Sequence, residues 1–204
     1  MITIIDYGVG NINAFVNVYK RGNVPVKIAK TASDLEGAEK LILPGVGSFD
    51  HAMRQLNASG MRNTLDEMVL EKKVPVIGIC VGMQMMGNKS EEGSLQGLKW
   101  IDADVRKFDE SKIDHITKLP HMGWNDVVPK ENNTLFSGLG RDSIFYFLHS
   151  FYFRCFNPLD IIATSYYGEN FTCAVQHNNI FGIQFHPEKS HEYGEKLLLN
   201  FAAI

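Results

Sequence analysis

The sequence predicts an α/β fold: an open, mainly parallel twisted sheet with helices on both faces and a partly antiparallel C-terminal half. Three observations predict it. Short apolar runs alternate with amphipathic stretches as far as Ile79, glycine and proline breakers punctuate them, and after Leu98 the rhythm changes to several shorter strand-like runs with few helices between.

In order, Ile2 to Ile5 reads as a first strand, Asn11 to Arg21 as a helix, Val24 to Ala29 as a second strand and Lys40 to Leu43 as a third. The breaker cluster Pro44-Gly45-Val46-Gly47 ends that third strand, after which Phe49 to Ser59 and Met61 to Lys72 are helical. Val74 to Ile79 is a fourth strand running into a further helix-like stretch. Strands and helices that alternate in this way imply crossover connections and a parallel sheet. Beyond Leu98, strands are expected at Ile144 to Leu148, Ile161 to Tyr166, Thr172 to His177 and Ile180 to Phe185, with a closing helix from Tyr193 to Phe201.

A chain of 204 residues without a dividing linker or repeat is expected to form a single domain, 1–204. With 45% hydrophobic and 21% charged residues it has the composition of a globular protein, and no apolar run approaches a membrane span. The start, MITIIDYG, reads as a strand and not as a signal peptide, so a cytoplasmic location is expected. A net charge of −3 with interspersed signs gives no footprint for nucleic acid or an anionic membrane. Cys80, Cys155 and Cys173 form no Cys-x-x-Cys pair, so neither a disulfide framework nor a zinc ribbon is indicated. His186 and His191 stand five apart across a proline, a poor spacing for metal, and Gly8-Val9-Gly10 lacks the third glycine of a dinucleotide fingerprint. Neither a metal nor another cofactor is expected.

The chemistry concentrates at three predicted strand ends. Val76-Ile77-Gly78-Ile79-Cys80-Val81-Gly82-Met83-Gln84 has the form of a nucleophile elbow, a sharp strand-to-helix turn whose glycines remove Cβ atoms that would clash. The helix N-terminus after it favours the thiolate of Cys80, and the Val81 N–H points at the same spot. Taken alone, a small buried cysteine explains the same residues equally well. Phe181 to Glu188 is a second apolar strand, ending in His186 and Glu188, which share a face when extended. A carboxylate there can orient an imidazole toward a thiol; a surface strand end with an ordinary His and Glu is the plainer alternative. Third, the glycine-rich turn at Gly45, Val46 and Gly47 can aim backbone N–H groups at an oxyanion. The aromatic run Phe145 to Phe153, interrupted by His149 and Ser150, reads as core strand.

In this order, PGVG, GICVGMQ and FHPEKS resemble the class I, or triad, glutamine amidotransferases over nearly the whole chain. The resemblance implies an open α/β sheet carrying a Cys80, His186 and Glu188 triad that hydrolyses glutamine through a thioester, with Val46, Gly47 and Val81 forming the oxyanion hole. Asp6-Tyr7-Gly8-Val9-Gly10-Asn11 and His121-Met122-Gly123-Trp124-Asn125 are similar to the glutaminase subunits of imidazole-glycerol-phosphate synthase. That narrower likeness implies glutamine held by Gly45, Gln84, Glu92 and the backbone around His149 and Ser150. It also implies a surface of Asn11, Met122, Trp124, Asn125, Tyr146 and Lys189 facing a (β/α)-barrel synthase, or cyclase, partner. The stretches Gly47 to Asp50 and Lys189 to Gly194 are closer to paralogues that supply ammonia to a sugar nucleotide in surface-polysaccharide biosynthesis. Two other readings stand beside these: a cysteine hydrolase or peptidase of similar topology, and a catalytically silent regulatory subunit.

Overall fold

The computed structural model describes residues 1–140 and 142–204. The elements run β1 (Ile2–Ile5), α1 (Ile12–Arg21), β2 (Val26–Ala29), β3 (Lys40–Gly45), α2 (Phe49–Ala58), α3 (Arg62–Asp66), β4 (Val76–Cys80), α4 (Val81–Met85), β5 (Lys89–Ser90), β6 (Ala103–Lys107), β7 (His121–Asp126), β8 (Val128–Pro129), β9 (Ile144–His149), β10 (Phe151–Cys155), β11 (Ile161–Tyr167), β12 (Glu169–His177), β13 (Ile180–Ile183) and α5 (His191–Ala203). The main sheet has the order β2-β1-β3-β4-β13-β12-β10-β6-β5, with β11 on β12 and β8 on β11. Neighbours from β2 through β13 are parallel, whereas β13-β12, β12-β10 and β10-β6 are antiparallel. β7 and β9 pair as a separate antiparallel ribbon. The predicted division between parallel and antiparallel parts is therefore the observed one.

Helical periodicity explains how the layers close. Phe15, Val18 and Tyr19 of α1, Phe49, Ala52, Met53 and Leu56 of α2, and Leu197, Leu198 and Phe201 of α5 are the buried positions, each set spaced by three or four residues. Burying each large side chain stabilises the fold by about 1.5–3 kcal/mol. The strands they cover, β1 and β4, are buried at every position, as sheet covered on both faces requires.

Several elements differ from the sequence reading: the strand expected from Ile180 to Phe185 stops at Ile183, and Glu188 lies in a single 3-10 turn, Pro187–Lys189, so it reaches His186 around a turn and not along an extended face. β3 does not stop at Leu43 but continues through Pro44 to Gly45. Pro44 lies past Ile42, the last β3 residue paired with β1, so its missing N–H leaves no gap in that ladder. The single helix expected from Met61 to Lys72 is instead α3 followed by a wider π turn, Glu67–Glu71, closed by Lys73 at φ 56°.

Candidate active site

Strand register alone assembles the site. β3, β4 and β13 run parallel, with Gly45 opposite Cys80 and Ile183 opposite Ile79. Their carboxyl ends thus bring together the glycine-rich turn, the elbow and the segment leading to His186, at the edge where open α/β sheets place ligands. At the elbow Cys80 takes φ 55° and ψ −113°, a strained conformation for a residue with a side chain. The glycine after it is required: a Cβ on Gly82 would meet the Leu43 carbonyl oxygen 2.0 Å away.

His186 is held on both sides. Its backbone N–H donates to the Tyr146 carbonyl at 2.9 Å, which ties the site to the β7-β9 ribbon. Its Nδ1 meets Glu188 Oε1 at 2.8 Å, leaving Nε2 for the sulfur of Cys80. Burial opposes the imidazolium, but hydrogen bonding to Cys80 and Glu188 outweighs it and raises the His186 pKa to about 10. The arrangement favours the imidazolium of His186.

At the turn, Val46 and Gly47 are exposed, and Gly47 has φ 81°, a conformation suited to glycine. The peptide leading into Gly45 is clamped: the buried Tyr7 hydroxyl donates to the Pro44 carbonyl at 2.6 Å. Gly45 packs against the elbow so closely that a Cβ there would fall 2.3 Å from the Gly82 nitrogen.

A cavity of ≈ 460 Å³ opens between these parts, lined by Val46, Gly47, Cys80, Val81, Gln84, Glu92, Ser150, His186 and Lys189 among others. Gln84 commits its amide N–H groups to the Phe151 carbonyl and Gln184, which leaves its oxygen for a ligand. Glu92 has a second task, since Oε2 accepts the Phe49 N–H at 2.8 Å and caps α2. The His149 ring nitrogens are both engaged, Nδ1 with the Phe151 carbonyl and Nε2 with His121, and His149 and Ser150 both line the cavity. A more open cleft of ≈ 910 Å³ beside Asn133, Ser137 and Asn200 has no cysteine or histidine among the described residues lining it.

The residues expected to face a partner fall mostly on the ribbon. Met122 is 61% and Trp124 44% exposed, so Trp124 is not a core residue. Its indole stacks on His191 at 5.2 Å and meets Tyr146 edge-on, while Lys189 Nζ lies 5.5 Å from the Tyr146 ring centre. Asn125 is half-buried, bonded to His121 and to the Tyr166 carbonyl. Asn11 is exposed on a different element, at the start of α1. Lys189 belongs to both places, since it also lines the cavity.

Sequence reasoning missed three residues at this site. Tyr7 clamps the turn, Gln184 approaches Cys80 at 3.7 Å, and His121 supports His149 at 3.0 Å. Tyr7 and His121 lie within motifs already singled out, and Gln184 is two residues before His186, within the strand that the sequence predicts to run to Phe185.

Comparison with known proteins gives the family and the fold. The family model described as glutamine amidotransferase class-I matches residues 3–204. The chain is 56% identical to the imidazole glycerol phosphate synthase subunit HisH of Bdellovibrio bacteriovorus and 50% identical to that of Leptospira borgpetersenii, each alignment covering 100% of both chains. Among solved structures, one titled glutamine amidotransferase superposes with a TM-score of 0.76 at 18% identity, covering 100% of this chain and 99% of that one. PurLQS from Thermotoga maritima gives 0.72 at 14% identity, covering 98% and 96%. The chain belongs to the class-I glutamine amidotransferase family.

Proposed function

We propose that this chain is the glutaminase subunit of an imidazole glycerol phosphate synthase, hydrolysing glutamine to glutamate and ammonia for histidine biosynthesis with Cys80 as nucleophile. The observation that carries the reading is the register of β3, β4 and β13, which gathers Cys80, His186 with Glu188, and the glycine turn around one cavity. Full-length identity of 56% to a subunit bearing that synthase's name supports the acceptor pathway.

The chemistry follows from a cysteine set beside the His186 imidazolium. The Cys80 thiolate attacks the glutamine γ-carbonyl carbon, a C–S bond forms, and the carbonyl oxygen takes the charge. Backbone N–H groups of Val81 and of the Val46–Gly47 turn stabilise that oxyanion. The C–N bond then breaks as His186 Nε2–H gives its proton to the departing nitrogen, leaving a thioester and ammonia. A water attacks the thioester while the now neutral His186 takes its proton, and glutamate leaves as the thiolate returns. Glu188 keeps the imidazole aligned throughout. Gln84, Glu92, Gly45 and the Ser150 backbone hold the substrate.

Ammonia released into water at neutral pH is protonated and loses its nucleophilicity, so a synthase partner must receive it directly. A (β/α)-barrel subunit docked on Met122, Trp124, Asn125, Tyr146, Lys189 and Asn11 is the proposed acceptor. The Gly47 to Asp50 stretch that resembles sugar-nucleotide paralogues is accounted for within this chain. Glu92 caps its Phe49, and Asp50 accepts the Ser94 and Leu95 N–H groups, so those residues join the start of α2 to the segment carrying Glu92, which lines the cavity. Among the described residues no helix is long and apolar enough to cross a membrane. With its three cysteines free, the protein is proposed to work in the reducing cytoplasm as one domain. Glutamate release from glutamine, followed with and without the synthase subunit and its acceptor substrate, tests the reading; peptidase activity without glutaminase activity would overturn it.

A further inference from the structure

We propose that the Gln184 side-chain amide is a hydrogen-bond donor to the Cys80 thiolate, aimed there through Gln84 by the carbonyl of Phe151. This deepens the glutaminase reading and rests on it. Gln184 follows β13, whose Ile183 sits opposite Ile79, so the next residue lies beside Cys80. It is 0% exposed, and its Nε2 is 3.7 Å from Cys80 Sγ.

The direction of that amide is determined by hydrogen-bond logic. A backbone carbonyl can only accept, so Gln84 must turn its nitrogen toward Phe151 O, 3.1 Å away. The same nitrogen lies 3.0 Å from Gln184 Oε1, so Gln184 presents its oxygen there and its N–H groups to the sulfur. A second arm leaves the same carbonyl. His149 Nδ1–H donates to it at 2.8 Å, so His149 Nε2 must accept from His121 Nδ1–H at 3.0 Å, and His121 Nε2 accepts from Asn125 at 3.1 Å. Burial keeps both rings neutral, with pKa values lowered to about 3 and about 4, as this tautomer pattern requires. One carbonyl thus orients a chain from Asn125, beside the exposed Trp124, to the nucleophile.

A donor is needed here because α4 spans only Val81–Met85, too short for a full helix dipole. Gln184 gives up no proton; it stabilises the negative sulfur before attack and again when the thiolate leaves the second tetrahedral intermediate. The other titratable groups facing Cys80 are His186, with Glu188 behind it, and the Tyr7 hydroxyl, while Glu92 and Lys189 line the same cavity.

The test is the pH profile of Cys80 alkylation by iodoacetamide, read by mass spectrometry in the full chain, for wild type, Gln184→Met, Gln184→Glu and Gln84→Met. Without the donor, the acid limb moves up by about one pH unit, so alkylation below it falls about tenfold. Gln84→Met produces a smaller shift in the same direction because Gln184 is then free to turn. Folded Gln184 variants with the wild-type profile would overturn the proposal. Should they fail to fold, the side-chain ¹⁵N resonance of Gln184 in the wild type decides: it moves through the alkylation limb and is static in Cys80→Ala if the donor contact exists, and static in both if it does not. If Cys80→Ser still hydrolyses glutamine, the nucleophile reading fails; a wild-type profile in the Gln184 variants with Cys80-dependent hydrolysis removes only the donor.

Discussion

Cys80 occupies a backbone conformation, φ 55° and ψ −113°, that costs about 1–3 kcal/mol for a residue with a side chain and persists only where neighbours enforce it. Here the close approach of Gly82 to Leu43 enforces it. His186 is protonated through most of the working pH range, and loses that proton as pH rises through about 10. Glu188→Gln removes part of what offsets burial, so the alkaline limb of glutaminase activity should move to lower pH; an unmoved limb in the pH dependence of kcat/KM would contradict the role given to Glu188. His186→Ala removes the acid itself and should lower kcat by about 100- to 10,000-fold, more than Glu188→Gln, in steady-state glutamate release. The groups proposed to react were legible as candidates in the sequence, because a strand end followed by Gly-x-Cys-x-Gly or His-x-Glu is a local pattern. Gln184, Tyr7 and His121 were not legible, since each acts on a partner 28 to 104 positions away, a pairing created by strand order.

Among the elements, the β7-β9 ribbon is both a wall of the site and the carrier of two buried histidines. His121 and His149 are neutral in the fold but protonated in the unfolded chain below about pH 6.5. Unfolding therefore takes up protons, and stability must fall as pH drops from about 6.5 toward their lowered pKa values. Between pH 5 and 6 each contributes a slope of about 1.4 kcal/mol per pH unit. His121→Phe should roughly halve the fall of the melting temperature across that interval, and an unchanged slope would show that the pair does not titrate on unfolding. Element positions were legible where periodicity was long, as in α1, α2 and α5. They were less so where tertiary context overrode a local signal: Pro44 reads as a breaker, yet it extends β3 because β1 no longer pairs beside it.

Across the whole molecule, the ribbon presents an exposed surface to the outside and, on β9, holds His186 in the site through the bond from His186 N–H to the Tyr146 carbonyl. Trp124, 44% exposed and stacked on His191, should act as an anchor for the synthase subunit. Trp124→Ala is expected to weaken co-purification with that subunit and leave the melting temperature nearly unchanged; a large loss of stability would instead make it a packing residue. The fold class was legible at this scale from the change of rhythm after Leu98, whereas the separate β7-β9 ribbon was not, because Ile144 to Leu148 gives no sign of which strand it will pair. Whether Cys80 is the nucleophile of a glutaminase is decided by glutamate release by the chain in complex with its synthase subunit and acceptor substrate. Release is expected in the wild type, retained in Cys155→Ser and Cys173→Ser and abolished in a folded Cys80→Ser; release by Cys80→Ser at the wild-type rate would place the nucleophile elsewhere.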